Sequence, residues 1–399
     1  MTGWRCTRLT RGGPDGPFHS HSYYDVPVFD ATGRRIVAHR MSFAGRQPTP
    51  EDTIEIGLID ADRPDSWQPI GESRAWSWQQ GPLAQWLGGG PRVVWNDREG
   101  PDFVARIHDT ETGETRTLGR TVYGVDPAGT TGFSLDMGRL NAVRPGYGYP
   151  GGPDGTALPR YPDDDGVWRV DLETGRARLV LSLRRAARLV RPRLGMRARL
   201  RHGLAGYTYW FNHVKVAPDG RRFTVKLRWR KIGGPWNESM GVSLTCGADG
   251  DDPRLLADAT SHVIWRDPEH LYFWRRGAVE VFRDEAAGGR KVGTIAPDLI
   301  DANVHIRHLD ANARHFVLDT PYREEIDLLT LDTRTGTHRR IATFPGHVPR
   351  RGPFRCDLHP CPSPDGRRIV VTSLRDGGRQ IYLLEATEDG DAAAAGRAG

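Results

Sequence analysis

A chain of 399 residues with a net charge of +6 is too long for one ordinary core, so it is either two or three domains or one large repetitive architecture. Its 48 glycines, 29 prolines and 12 tryptophans favour many short strands and turns over long helices, and a hydrophobic content of 37% excludes a disordered body. The positive balance, carried mostly by arginine, is compatible with an anionic partner without requiring one.

The start, Met1-Thr2-Gly3-Trp4-Arg5-Cys6, has no apolar run of the signal-peptide kind. Nowhere is there an apolar run of about 18 residues that could span a bilayer. A cytoplasmic protein with no membrane association is therefore expected. Cys6, Cys246, Cys356 and Cys361 are too few and too scattered for a disulfide framework.

In chain order, Trp4-Arg5-Cys6-Thr7-Arg8-Leu9-Thr10 reads as an outer strand, followed by a looser turn at Asp30-Ala31-Thr32-Gly33. Pro218-Asp219-Gly220-Arg221-Arg222-Phe223-Thr224-Val225 and Pro364-Asp365-Gly366-Arg367-Arg368-Ile369-Val370-Val371 are two copies of one hairpin, and weaker copies turn at Pro127-Ala128-Gly129, Pro268-Glu269 and Ala311-Asn312. A second turn, typified by Asp171-Leu172-Glu173-Thr174-Gly175 and Asp332-Thr333-Arg334-Thr335-Gly336, marks the join of a third and fourth strand. Seven units result, at 23–66, 74–119, 120–182, 206–257, 260–297, 301–344 and 355–387. The last has three strands, and the N-terminal strand supplies the fourth. The expected fold is all-β: a seven-bladed β-propeller over 1–388, its last blade closed by the N-terminal strand, with a disordered tail at 389–399.

Two stretches break the period. Residues 139–166, with Arg144-Pro145-Gly146-Tyr147-Gly148-Tyr149-Pro150, are too long for a blade turn and are expected to project as a loop. The stretch 184–201 carries Arg185, Arg188, Arg191, Arg193, Arg197 and Arg199 among apolar residues. It reads either as a basic helix on phosphates or as a solvated insertion between blades. Without an aromatic stacking platform, nucleic acid is not the expected partner.

Aligning the hairpin turns brings four histidines to one repeat position. His213 lies seven residues before Gly220, His262 seven before Glu269, His305 seven before Asn312 and His359 seven before Gly366. In a propeller these strand entries surround the mouth of the axial channel. Imidazoles converging with a carboxylate are what a divalent metal requires, and His305, Asp357 and His359 are the candidate ligands. A lone histidine at a strand start is more often a hydrogen-bonded structural residue, and Cys356 with Cys361 is a rival thiol pair on a proline-stiffened segment. His19-Ser20-His21, Tyr23-Tyr24-Asp25, Gln79-Gln80 and Asn212 are placed near the same mouth, with His19, His21, Tyr24, Gln80 and Asn212 as candidate substrate contacts. Arg228 could hold a carboxylate and Trp229 could stack on a sugar, whereas Trp76, Trp78 and Trp86 read as packing between blades.

The Ser363-to-Ser373 segment resembles the repeat of TolB-type propellers. His213 through Trp229, Ser261-His262-Val263-Ile264-Trp265, His305 through Asp319, and Asp357-Leu358-His359-Pro360 resemble in order the oligogalacturonate lyase branch of those propellers. The resemblance covers 206–385, and the first half matches only as generic blades. It implies manganese held by histidines and a glutamine, and cleavage of uronate-containing oligosaccharides by β-elimination with a histidine base. On that resemblance His262 falls on the base, and His305 and His359 on metal ligands. Asp357 stands where the family has a further histidine, Phe354 where it has the glutamine, and Gly241-Val242-Ser243 where an arginine assists the base.

Aspartate preserves an oxygen ligand suited to manganese, magnesium or calcium. Arg228 is the candidate substitute for the arginine. The expected activity is thus a metal-dependent lyase acting on an anionic oligosaccharide or other small anionic substrate, with His262 neutral as base, oriented by His213 and Asn212. Two alternatives stay open: a propeller that binds a glycan or a protein segment without chemistry, and an enzyme of another reaction class on the same site.

Overall fold

The structure is a computed structural model that describes residues 3–153, 158–193, 196, 200, 206–231, 234–235 and 238–387. The expected tail at 389–399 lies outside the described residues, as do Arg197 and Arg199 of the basic stretch. Among the described residues, 28 short strands form seven four-stranded sheets. Six sheets each take four successive strands. The seventh joins Cys361–Pro362, Arg368–Ser373 and Gln380–Ala386 to the N-terminal strand Trp4–Arg8, making the blade set of a seven-bladed β-propeller.

The chain divides into two compact units: residues 1–94, 108–114 and 298–399, and residues 95–107 and 115–297. The first unit contains the first, sixth and seventh sheets. Trp4–Arg8 pairs antiparallel with the last strand, Trp4 opposite Ala386 and Arg8 opposite Tyr382, as the sequence pattern requires. Alternating apolar residues of the sixth and seventh sheets, among them Val317, Leu328, Phe344, Leu358, Ile369, Val371 and Leu384, meet in one buried cluster. Each fully buried side chain of this kind contributes roughly 1.5–3 kcal/mol. In the Pro-Asp-Gly turn Gly366 has φ 69°, and a Cβ there would meet the Leu309 carbonyl oxygen at 2.1 Å, so both conformation and space require glycine.

The first sheet departs from expectation. Its innermost strand begins at Phe18–Ser20, paired with His39–Met41, rather than at residue 23. Pairing resumes only at Phe29 opposite Ile36, beyond Pro27, which has no N–H to donate. The interruption takes Tyr23, Tyr24 and Asp25 out of the ladder.

The second unit contains the third, fourth and fifth sheets. Its longest hairpin joins Tyr207–Val216 to Arg222–Lys231 through Pro218-Asp219-Gly220, with Gly220 at φ 73°. The ladder shifts register between Asn212 and Lys215, and again between Ser261 and Ile264 in the fifth sheet. His213 (φ 57°) and His262 (φ 52°) occupy these bulges in the left-handed region. In the first unit His359 (φ 49°) and Leu83 (φ 56°) hold the same position relative to their own turns. Histidine tolerates this conformation better than a β-branched residue, and a bulge re-aims the side chain it carries.

Both interruptions of the repeat form short helices. Asp136 caps Met137–Val143 by accepting from Arg139 N at 2.8 Å, and Arg139 Nε donates to Asp165 at 2.6 Å. Ser182 caps Leu183–Val190, which buries Leu183, Ala186, Ala187 and Val190 while Arg185 and Arg188 stay exposed. The described part of the basic stretch is therefore an amphipathic insertion, with Arg185 donating to the Gly250 carbonyl.

Candidate functional site

The first unit brings His305, Asp357 and His359 together. Their ligand-type atoms all lie within 4.8 Å of one another, and all three residues are buried. His359 Nε2 stands 3.8 Å from Asp357 Oδ2, a spacing that two metal–ligand bonds of about 2.1 Å can bridge. The His305 and His359 rings are 4.8 Å apart and nearly perpendicular. Two imidazoles and one carboxylate, all buried, are a donor set that could hold a divalent ion.

Asp319, which the sequence reading left without a role, completes the design. It is fully buried, and its carboxylate accepts from His305 N at 2.8 Å and pairs with His305 Nδ1 at 2.9 Å. That pairing leaves Nε2 as the nitrogen facing Asp357 and His359, the arrangement by which a carboxylate fixes the tautomer of a metal-binding histidine. Asp319 N in turn donates to the His305 carbonyl, so the pair is set by the sixth-sheet hairpin itself. His305, unlike the other three aligned histidines, is not in the left-handed region; Asp319 holds it instead.

Asp357 has a second partner. Arg355 Nε donates to its Oδ2 at 2.8 Å, the same oxygen that faces His359. The loop carrying both residues is tied down from several sides. Gln79 Nε2 donates to the Pro353 and Arg355 carbonyls at 3.0 Å each, and the buried Arg379 donates to the carbonyls of Phe354 and Arg355. His347 lies between the Cys356 carbonyl (2.7 Å) and Ser373 Oγ (2.9 Å). The i, i+2 spacing of Arg355 and Asp357 was a readable signal, since alternate residues of an extended segment share a face. Gln79 was placed near this mouth by the sequence, whereas Arg379 and His347 left no such local trace.

The aromatic pair released from the first sheet covers the cluster. The Tyr23 ring lies edge-on to His359 at 4.6 Å and Tyr24 lies 5.0 Å from His305. Arg307 donates to the Tyr24 carbonyl at 2.7 Å and anchors that segment. Of the remaining first-unit candidates, Gln80 is fully buried in the Ser77–Gly81 turn. His19 is buried, bonded to Gln380 Oε1 at 3.1 Å and edge-on to Trp67. His21 is buried with Nδ1 on the Ser22 carbonyl. Burial pushes both imidazoles down to about 4, so they are neutral at pH 7. Their contacts are internal to the fold. Cys356 and Cys361 are buried free thiols, and burial pushes them up to about 11 and 12 respectively, so neither offers a thiolate.

The second unit carries His213, Asn212, Arg228, Trp229 and His262. The Tyr123 hydroxyl bridges Asn212 Oδ1 (3.3 Å) and His213 Nδ1 (3.0 Å). Burial, then the charges of Lys215, Arg144, Arg228 and Lys226, hold His213 well below the usual imidazole range. Arg228 is half-buried and donates to Ser239 Oγ at 3.1 Å. Trp229 is buried and packs against Tyr209, with ring centroids 5.8 Å apart and planes tilted by 30°. His262 is half-buried on its bulge. Trp76 and Trp78 pack edge-on against each other at 5.1 Å, as core residues do.

No protein-family description and no curated protein matches the sequence. Among solved structures, an oligogalacturonate lyase in complex with manganese is 16% identical, with a TM-score of 0.62 over 97% of this chain and 94% of that one. The fold is that of the oligogalacturonate lyases. A second oligogalacturonate lyase, from Vibrio parahaemolyticus, is 14% identical with a TM-score of 0.59 over 96% of this chain and 94% of that one. The tricorn protease is 11% identical with a TM-score of 0.52, over 95% of this chain and 34% of that one. Like the oligogalacturonate lyase fold it shares, this chain consists of blades, and among its described residues no helix is long and apolar enough to cross a membrane.

Proposed function

We propose that the protein is a divalent-metal-dependent lyase that cleaves a uronate-containing oligosaccharide by β-elimination. The observation that supports this reading is the buried cluster of His305, Asp357 and His359 with Asp319 behind His305. His305 Nε2, His359 and Asp357 would hold the ion, and manganese suits this set, with magnesium or calcium favoured by the aspartate oxygen. When bound, a divalent cation supplies Lewis-acid attraction for a carboxylate and so acidifies the adjacent C–H.

The residues of the chain do the rest. Asp319 holds His305 in one tautomer, Gln79 and Arg379 fix the loop that carries Asp357, and Tyr23 and Tyr24 exclude water from the imidazoles. His262 is assigned as the base: it takes the proton α to the uronate carboxylate, the electron pair forms the ring double bond, and the glycosidic oxygen leaves with its bonding pair and takes up a proton from water to become the product hydroxyl. Arg228 is assigned to the developing charge, and Asn212 and His213 to orientation. Tyr24, Gln80, His19, His21 and Trp229 are retained as substrate-side candidates, of which Tyr24 lies against the metal cluster.

The Arg355–Asp357 ion pair favours a second reading, a propeller that binds its glycan without a metal, because the guanidinium already neutralises the carboxylate. Assaying a panel of uronides for the ultraviolet absorbance of an unsaturated product, with manganese and after chelation, tests the first reading. Manganese-dependent product is expected, and His262→Ala is expected to lower turnover by about 10²–10⁴ while ligand affinity stays within a few fold. Absence of unsaturated product from every uronide, or full activity in the chelated protein, would sink it.

A further inference from the structure

The fourth sheet, in the second unit, presents an unusual set of charges on one face. Its register sets Trp210 opposite Arg228, Asn212 opposite Lys226 and, past the bulge, Lys215 opposite Thr224. Alternate residues of a strand share a face, so the two lysines, Arg228, Trp210 and Asn212 stand together. Lys215 and Lys226 are each only 8% exposed. Arg144 approaches from the end of helix Met137–Val143, its guanidinium 3.7 Å over the Tyr147 ring, and that ring lies 5.9 Å from His213.

Burial first, and then the positive charges of Arg228 and Arg144, hold Lys226 well below the usual lysine range. Its ammonium donates to the Thr260 carbonyl, a neutral acceptor. A buried ammonium in cationic surroundings is costly, and the cost is removed when an anion completes the group. A second observation points the same way. Asn212 Nδ2 and Trp210 Nε1, at 0% and 1% exposure, are N–H donors with no hydrogen-bond partner among the described residues, and both belong to this face. Buried donors are nearly always satisfied, so an orphaned pair beside a buried cation marks a place for an acceptor.

We propose that this face of the fourth sheet is an oxyanion-binding site, in which Lys226, Arg228 and Arg144 supply positive charge and Asn212 Nδ2 and Trp210 Nε1 donate hydrogen bonds to a carboxylate, sulfate or phosphate group. Identification of that group as a uronate carboxylate rests on the lyase reading. The anion site does not.

The test is thermal melting and tryptophan-fluorescence titration of the full chain with D-galacturonate, inorganic sulfate and neutral D-galactose. Chelator is present throughout, so that the His305 cluster holds no cation. Galacturonate or sulfate is expected to stabilise the protein saturably, and galactose is not. Lys226→Met is expected to raise the melting temperature of the ligand-free protein by removing the buried ammonium, and to weaken anion binding about tenfold or more, with Arg144→Met weakening it in the same direction.

Sulfate binding without galacturonate binding upholds the site and assigns it to a free inorganic anion. Lowered ligand-free stability in Lys226→Met with unchanged anion affinity would show a merely structural lysine and overturn the proposal. So would galactose binding as tightly as galacturonate, or no response to either anion. Should Lys226→Met fail to fold, Arg144→Met and the wild-type anion titrations decide the matter. Lyase activity is not read in these experiments: galacturonate binding through Lys226 in a protein without turnover upholds the site while the lyase reading fails, and turnover with anion affinity unaltered in Lys226→Met removes the site alone.

Discussion

In the first unit, His305 and His359 stand beside the carboxylates of Asp319 and Asp357; in the second, His213 stands among Lys215, Lys226, Arg228 and Arg144. All three histidines occupy one repeat position, seven residues before a hairpin turn, and His213 and His359 share a left-handed backbone. The backbone therefore fixes where an imidazole is presented, and the residues across the hairpin decide what it meets. Across from His305 that neighbour is Asp319, and beside His213 the facing strand carries Lys226 and Arg228. The first environment favours a cation and the second an anion, although the strand geometry is common to both.

The difference can be broken most completely at His359. His359→Ala removes one of two imidazoles from a three-residue donor set, and the expected result is a fall from one manganese per chain to none by elemental analysis after desalting. Retention of a full equivalent of metal would place the ion elsewhere. A smaller effect is expected at Asp319, which acts through His305. Asp319→Asn keeps the shape but loses the charge, and should weaken metal affinity about 10–100-fold in a competition titration with a metal chromophore. Unchanged affinity would mean that the buried pair serves folding alone.

Arg355 offers the smallest and most diagnostic change, because its sign is opposite. The guanidinium occupies Asp357 Oδ2, an oxygen that a metal would also use. Arg355→Ala should lower the melting temperature of the metal-free protein, which then has a buried carboxylate without its ion pair, and should tighten manganese binding by about tenfold. Weaker manganese binding in Arg355→Ala would show that Arg355 positions Asp357 rather than competing for it. The three substitutions together sharpen the contrast with the cationic face of the fourth sheet, whose anion affinity should not respond to any of them.

The seven hairpin units, the closing N-terminal strand and the positions of both interruptions were legible because each is encoded locally. Pro-Asp-Gly and Asp-x-x-x-Gly turns set the backbone within a few residues, and strict alternation assigns the faces of the flanking strands. The first sheet begins before residue 23, where its sequence period begins. Phe18–Ser20 is too short to show a period, and Pro27 splits the strand within a continuous sequence pattern. His305, Asp357 and His359 could be proposed as a group because repeat alignment converts positions separated in sequence into equivalent ones.

The partners of the supporting residues were not legible, even where the residues themselves could be placed near the mouth. Asp319 pairs with a histidine 14 residues away across a hairpin, and an aspartate ending a strand carries no sign of its partner. Tyr23 and Tyr24 reach His305 and His359 from the opposite end of the chain, and Gln79 reaches the Arg355 carbonyl over a similar separation. The same holds for Arg144 beside Lys226. The sequence by itself thus determined the repeat and the place in each blade where a histidine is presented, since turn chemistry and side-chain alternation act over a few bonds. Only the tertiary structure decided which charges surround each histidine, because those neighbours arrive through packing between segments far apart in the chain, which no local pattern records.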